Sequence, residues 1–129
     1  MATQELELIL SRQLAECLKQ AMFLTDTAGN LVYYNEGAEE ILGQKFSDTG
    51  PMPVEVWATL FKPLTLEGVP MPPEDLPLVC TLQSQNPHHG SFSIRSLNGE
   101  LYTLTVTAIP LHGRGNRFLG AMALFWKET

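Results

Sequence analysis

The chain has 129 residues, of which 44% are apolar and 17% charged, a composition typical of one globular domain. Its formal charge of −6 disfavours binding to the phosphate backbone of nucleic acids. No apolar stretch is long enough to cross a bilayer and the amino terminus lacks the basic segment of a signal peptide, so we expect a cytoplasmic protein without membrane contact.

The first predicted element is a helix over residues 3–20, a stretch that contains neither glycine nor proline. Apolar residues recur there every three or four positions, which indicates a stripe along one helix face. The stripe consists of Leu6, Leu10, Leu14, Cys17 and Ala21. Such a helix must pack on something. The pattern is too short to separate packing on its own domain from packing that also builds a dimer.

Two short strands are predicted next, over residues 22–26 and 31–34, and we expect them to pair. Gly29 and Asn30, in the turn between them, tolerate the positive φ angles of a tight hairpin. Asn35 is predicted to cap a helix over residues 36–42, since its side chain can accept a hydrogen bond from the first turn. Gly43 is predicted to end this helix in a left-handed conformation.

The middle of the chain holds most of the nine prolines, between Gly43 and Pro77. Proline cannot donate to a β-ladder, so this region is predicted to form short helices joined by rigid turns. One helix is predicted over residues 53–61. A second is predicted to begin near Pro72 and to run to about Gln83, since proline is favoured in a first helical turn.

The last third of the chain predicts a meander of three strands, over residues 91–97, 101–111 and 118–126. Asn98-Gly99 and the segment 113–116 supply the turns between them. Strands at both ends of the chain with helices between them indicate the α+β class. We therefore expect a five-stranded antiparallel sheet with short helices over one face and an N-terminal helix.

Several segments, taken in order, resemble the PAS domain, a sensory module of bacterial kinases, cyclases, phosphatases and transcription regulators. The matching residues are Leu24-Thr25-Asp26, Gly29-Asn30, Val32-Tyr33-Tyr34-Asn35, Ala38-Glu39-Glu40-Ile41-Leu42-Gly43, Pro70 to Pro77, Asn98-Gly99-Glu100, Ile109-Pro110-Leu111 and Gly120-Ala121-Met122-Ala123 before Phe125. The resemblance covers residues 22–129, which leaves residues 1–21 as a separate amphipathic helix for packing or dimerisation.

The resemblance implies a sheet curled around short helices, with a pocket that holds a small molecule or cofactor in many members. It also implies a homodimer formed through the first helix, and an effector such as a histidine kinase, cyclase or phosphatase. The last strand of such domains ends in Asp-x-Thr, whereas this chain has Lys127-Glu128-Thr129. The aspartate that couples many relatives to their effectors is therefore missing.

Candidate residues for the space between sheet and helices are apolar and come from both halves of the chain. They are Tyr34, Ile41, Trp57, Phe61, Leu78, Leu82, Leu104, Val106, Ala108, Met122 and Leu124. The sequence leaves open whether these side chains fill the space or leave a ligand cavity. It names no ligand or cofactor.

Reactive side chains do not form a local catalytic or metal-binding motif. The cysteine motif of flavin-binding relatives is absent, and Cys80 lies in an apolar helical run typical of an inert buried thiol. The adjacent His88 and His89 are predicted to lie in a solvent-exposed connection rather than to bind a metal. We therefore expect a sensory module without catalytic activity. The alternatives are a light, redox or gas sensor with noncovalent flavin or haem, and a small enzyme that uses Asp26 or Asp75 as its base.

Overall fold

A computed structural model describes residues 20–128. Its strands are β1 (Ala21–Asp26), β2 (Leu31–Tyr34), β3 (His88–Arg95), β4 (Leu101–His112) and β5 (Phe118–Lys127). Its helices are α1 (Glu36–Leu42), α2 (Phe46–Thr49), α3 (Val54–Leu60) and α4 (Pro77–Ser84), with a 3₁₀ turn at Pro73–Asp75 before α4. The predicted helix over residues 3–20, and with it Leu6, Leu10, Leu14 and Cys17, lies outside the described residues.

All five strands form one antiparallel sheet in the order β2-β1-β5-β4-β3. The first strand of the chain pairs with the last, with Phe23 opposite Ala123 and Leu24 opposite Met122. This central pairing joins the two ends of the chain into a single sheet. The predicted α+β fold, a five-stranded antiparallel sheet with short helices, is confirmed.

The backbone of Gly120 lies so close to β1 that a Cβ atom placed there would collide with the carbonyl oxygen of Thr25. Its φ of 147° is also one that side chains rarely allow. A glycine at this position therefore lets β1 and β5 approach each other at the end of their ladder.

Helix α1 begins and ends at the residues that the sequence predicted. The side-chain oxygen of Asn35 accepts from the backbone N–H of Ala38 at 3.1 Å and from that of Met22 at 3.0 Å. Its amide nitrogen donates to the carbonyl of Gln20 at 2.7 Å. Gly43 ends the helix with a φ of 83°. The buried Asn35 thus satisfies three backbone groups and joins α1 to the start of β1.

The main core lies between the helices and one face of the sheet. Alternate residues of β4 and β3, among them Leu104, Val106, Phe92 and Ile94, point into it. A second, smaller apolar cluster lies on the opposite face, formed by Met22, Leu24, Leu119 and Met122 with Val32, Tyr33, Ile109, Leu111 and Leu124 at its edge. We call this second cluster the outer apolar surface: its four central residues are 2–4% exposed, and the five residues at its edge are partly exposed. The sheet is therefore apolar on both faces of β1 and β5.

Three predictions of secondary structure are wrong. Ala21 lies in β1 with 4% of its surface exposed, in the main core and not on a helix, because it pairs with Phe125 of β5. His88 and His89 lie in β3 and not in a connection, since they pair with Ala108 and Thr107. Helix α4 begins at Pro77 and not at Pro72, because Leu76 has an extended backbone.

None of the helices within residues 20–128 is long and apolar enough to span a membrane.

Candidate functional site

A cavity of about 80 Å³ lies between the sheet and the helices. Its lining residues are Phe23, Leu42, Trp57, Ala58, Phe61, Pro63, Leu76, Pro77, Leu78, Phe92, Ile94, Leu104, Val106, Ala123 and Phe125. Every one of them is buried and apolar. The sheet supplies one wall from β1, β3, β4 and β5, and α1, α3, α4 and the loops beside them supply the other.

The indole of Trp57 carries the polar side-chain atom in this lining, and that atom is already bonded. Its Nε1–H donates to the carbonyl oxygen of Gly29, in the β1–β2 turn, at 2.8 Å. The Trp57 ring also meets the Phe23 ring edge to face, with ring centroids 5.2 Å apart. These two contacts fix α3 over the sheet and leave an apolar interior.

Five of the predicted pocket residues line the cavity: Trp57, Phe61, Leu78, Leu104 and Val106. Four others, Tyr34, Ile41, Leu82 and Ala108, belong to the main core but pack away from the cavity. The prediction placed Met122 and Leu124 in the same space, and it is wrong for both. They lie on the opposite face of the sheet, in the outer apolar surface.

The error on β5 has a simple physical cause. Residues 121–126 are apolar without interruption, so no alternation distinguishes the two faces. The register with β1 settles the orientation. Ala123 lies opposite the core residue Phe23, and Met122 lies opposite the outer residue Leu24.

Other lining residues were missed although the sequence held a signal for some of them. Phe92 and Ile94 alternate with serines along β3, which is typical of a strand with one buried face. Pro63, Leu76 and Pro77 lie in or beside turns of the proline-rich region. The sequence there has no helical or strand periodicity of apolar residues, so these positions could not be predicted to line the cavity.

The cavity lining contains no titratable side chain. Asp26 accepts from the backbone N–H of Asn30 at 2.9 Å and from that of Ala28 at 3.0 Å, so its carboxylate stabilises the β1–β2 turn. Asp75 is exposed on the 3₁₀ turn. Neither acid lines the cavity, so the arrangement predicted for a small enzyme with a pocket carboxylate is not formed by these two residues.

His88, His89 and Cys80 also have structural partners. A ring nitrogen of His88 lies 2.8 Å from the hydroxyl of Ser84, and one of His89 lies 2.8 Å from that of Thr107. Cys80 is partly exposed, not buried, and its thiol donates to the carbonyl of Glu74. Within residues 20–128, no group of three or more His, Cys, Asp or Glu side chains could hold a metal ion.

Burial raises the pKa of Tyr34, because ionisation would place a charge in the core. The Tyr34 hydroxyl donates to the carbonyl of Gln44 at 2.8 Å and lies 3.2 Å from the hydroxyl of Thr49. These contacts tie β2 to the α1–α2 region. Tyr34 does not line the cavity, so its role here is structural.

The antiparallel sheet, the short helices over one face and the apolar cavity between them define an α+β domain with an enclosed interior space. A family model described as PAS domain matches residues 10–77. The chain belongs to the PAS domain family. No match was found among curated protein sequences.

Solved PAS structures share the fold at low sequence identity. The PAS domain of a protein from Colwellia psychrerythraea is 18% identical, with a TM-score of 0.65, over 94% of this chain and 98% of that one. A PAS domain from a two-component sensor histidine kinase is 12% identical, with a TM-score of 0.60, over 95% and 97%. The light-state dimer of the fungal blue-light photoreceptor Vivid is 12% identical, with a TM-score of 0.63, over 84% and 77%.

The cavity does not fit the flavin or haem that the alternative hypothesis requires. Pockets for ligands of drug size have volumes of roughly 300–1,000 Å³, several times the space found here. Haem iron is held by His, Cys, Met or Tyr, and none of these residue types lines the cavity. The lining side chains also offer no free hydrogen-bonding group to a flavin ring.

Proposed function

We propose that this PAS domain is a non-catalytic sensory module that binds a small molecule between its sheet and helices, forms a homodimer and regulates a linked or partner effector. A histidine kinase, a cyclase or a phosphatase are the effector classes that we favour. The likeness to a PAS domain from a sensor histidine kinase supports the first of them.

One observation carries the proposal: β1 and β5 contribute to the cavity with one face and to the outer apolar surface with the other. Phe23 and Ala123 line the cavity, whereas their sequence neighbours Met22 and Met122 lie on the opposite face of the sheet, in the outer apolar surface. Successive residues of a strand point to opposite faces of the sheet. A shift of the cavity wall therefore displaces the backbone that carries the outer side chains.

The outer apolar surface is the part of the domain that we assign to dimerisation. It includes Met22 and Leu24 of β1, which follow residues 1–19 in the sequence. The predicted stripe of Leu6, Leu10, Leu14 and Cys17 belongs to residues 1–19. We propose that this stripe and the partly exposed residues of the outer apolar surface together pack against a second copy of the chain, because both are apolar. Those residues are Val32, Tyr33, Ile109, Leu111 and Leu124.

Signal transfer in this proposal is mechanical. Occupation of the cavity favours one packing of β1 and β5, and that packing favours one arrangement of the two subunits. The side chain of Gln20 adds a physical connection, because it donates to the carbonyl of the cavity residue Phe125 at 2.5 Å. Gln20, the residue directly before β1, is thus bonded to the cavity wall.

Sedimentation equilibrium of the full chain tests the dimer. Leu124→Glu places a charge on the outer apolar surface and should weaken the dimer at least tenfold, since an unpaired charge is costly in an apolar interface. Ser91→Glu adds the same charge to an exposed position of the edge strand β3 and should leave the dimer unchanged. A monomeric wild-type chain, or equal dissociation constants for all three proteins, would refute dimerisation through this surface.

A further inference from the structure

The cavity is uniform in its chemistry, and this uniformity restricts what it can hold. Its lining contains no titratable side chain, and the Trp57 indole N–H is already bonded to Gly29. We propose that the ligand is a small, uncharged, apolar molecule no larger than benzene. This inference rests on the proposed function, since it names the ligand class of the same cavity.

Volume sets the upper limit on ligand size. A cavity needs roughly 10–15 Å³ to hold one water molecule, and an engineered apolar cavity of about 150 Å³ in another protein binds benzene or xenon. The cavity of about 80 Å³ lies between these values. Xenon or a short hydrocarbon therefore fits, and benzene fits after small side-chain adjustments. A dinucleotide, a flavin or a haem would require the helices to separate from the sheet.

Polarity excludes charged metabolites even when they are small enough. A carboxylate or phosphate transferred into this lining would lose its water and gain no partner, which is strongly unfavourable. Water is disfavoured for the same reason, because a buried water molecule needs two to four polar partners. An apolar molecule has no hydrogen bonds to water to lose. In the cavity it gains dispersion contacts with the lining side chains.

The aromatic rings around the cavity favour the same ligand class. Phe23, Trp57, Phe61, Phe92 and Phe125 all contribute to its walls. Their faces and edges offer polarisable contact surface to a small aromatic or aliphatic molecule, without demanding hydrogen bonds. Selectivity would therefore come from the size and shape of the ligand and from its lack of charge.

The test compares four probes on the full wild-type chain by two-dimensional NMR: xenon, benzene, benzoate and flavin mononucleotide. Xenon and benzene should give saturable shifts of the methyl signals of Leu78, Leu104 and Val106, and should raise the melting temperature. Benzoate and flavin mononucleotide should give neither effect. Benzoate has the ring of benzene with one added charge, so the pair isolates the effect of charge.

Two cavity-filling variants locate the binding. Ala58→Leu, from α3, and Ala123→Val, from β5, each add methyl groups to the lining and should abolish the xenon and benzene shifts. The second variant provides the test if the first does not fold. Ala28→Leu, in the exposed β1–β2 turn, is the matched control and should bind as the wild type does.

Three results would overturn the inference: binding of benzoate or flavin mononucleotide as strong as that of benzene, no saturable binding of either apolar probe, or apolar shifts that survive in the filled variants. None of these results affects the sedimentation measurement of the dimer, because that measurement tests the outer apolar surface and uses no ligand. Failure of the ligand class can thus be distinguished from failure of the sensory dimer.

Discussion

The indole N–H of Trp57 donates a 2.8 Å hydrogen bond to the carbonyl oxygen of Gly29. This bond joins α3, above the cavity, to the turn between β1 and β2. Trp57 has 6% of its surface exposed and Gly29 is buried, so water cannot replace the bond in the folded chain. One residue therefore forms part of the cavity wall and also attaches that wall to the sheet.

Replacing Trp57 by phenylalanine should destabilise the domain by about 2–4 kcal/mol. The substitution removes the donor from a buried carbonyl and enlarges the cavity. Urea unfolding followed by circular dichroism measures the effect. Trp126→Phe is the control: Trp126 is 41% exposed, so this change should cost less than about 0.5 kcal/mol. Equal losses in the two variants would show that the Trp57 bond contributes nothing specific.

Substitutions at two buried alanines compare the cavity with the filled part of the core. Ala58 of α3 lines the cavity and is 2% exposed, whereas Ala38 of α1 is fully buried in close-packed surroundings. Ala58→Leu should change the free energy of unfolding by less than about 1 kcal/mol, because the added atoms enter empty space. Ala38→Leu should cost about 1–3 kcal/mol through overpacking. Thermal unfolding of both variants compares them, and a larger loss for Ala58→Leu would contradict the cavity.

The close approach at Gly120 predicts a large difference between two Gly→Ala variants. At Gly120 an added Cβ collides with the carbonyl oxygen of Thr25, so β1 and β5 must separate locally. At Gly115, with a φ of 70°, nothing lies within 4 Å, and only the backbone strain of about 1 kcal/mol remains. Gly120→Ala should therefore lower the free energy of unfolding, measured in urea, by at least about 2 kcal/mol more than Gly115→Ala does. Similar losses would mean that the two strands are not as close as described.

The sequence predicted the elements whose signals are local. Asn35 and Gly43 mark the two ends of α1 through side-chain capping and a positive φ, both of which depend on a few neighbouring residues. The cavity depends instead on which face of each strand turns inward. On β4 the alternation of apolar residues with threonines fixed that face. On β5 both faces are apolar, so only the pairing with β1 decides that Ala123 points inward.

The raised pKa of Tyr34 predicts a loss of stability at high pH. A tyrosine in the unfolded chain ionises near pH 10, whereas burial keeps folded Tyr34 protonated to higher pH. The stability contributed by this difference is complete below about pH 10 and is lost as the pH rises through the folded pKa. The difference in unfolding free energy between wild type and Tyr34→Phe should therefore shrink from about pH 9 to about pH 11. A difference that stays constant or grows over this range would contradict the buried hydroxyl.

Coupling between the cavity and the outer apolar surface through β1 and β5 is the central step of the proposed mechanism. Sedimentation equilibrium of wild type and Ala58→Leu tests this coupling directly, because the substitution fills the cavity and leaves the outer surface unchanged. We expect the dimer dissociation constant to change by about fivefold or more, the usual lower range of coupling between two sites. Identical dissociation constants in two equally stable proteins would contradict the sensory mechanism.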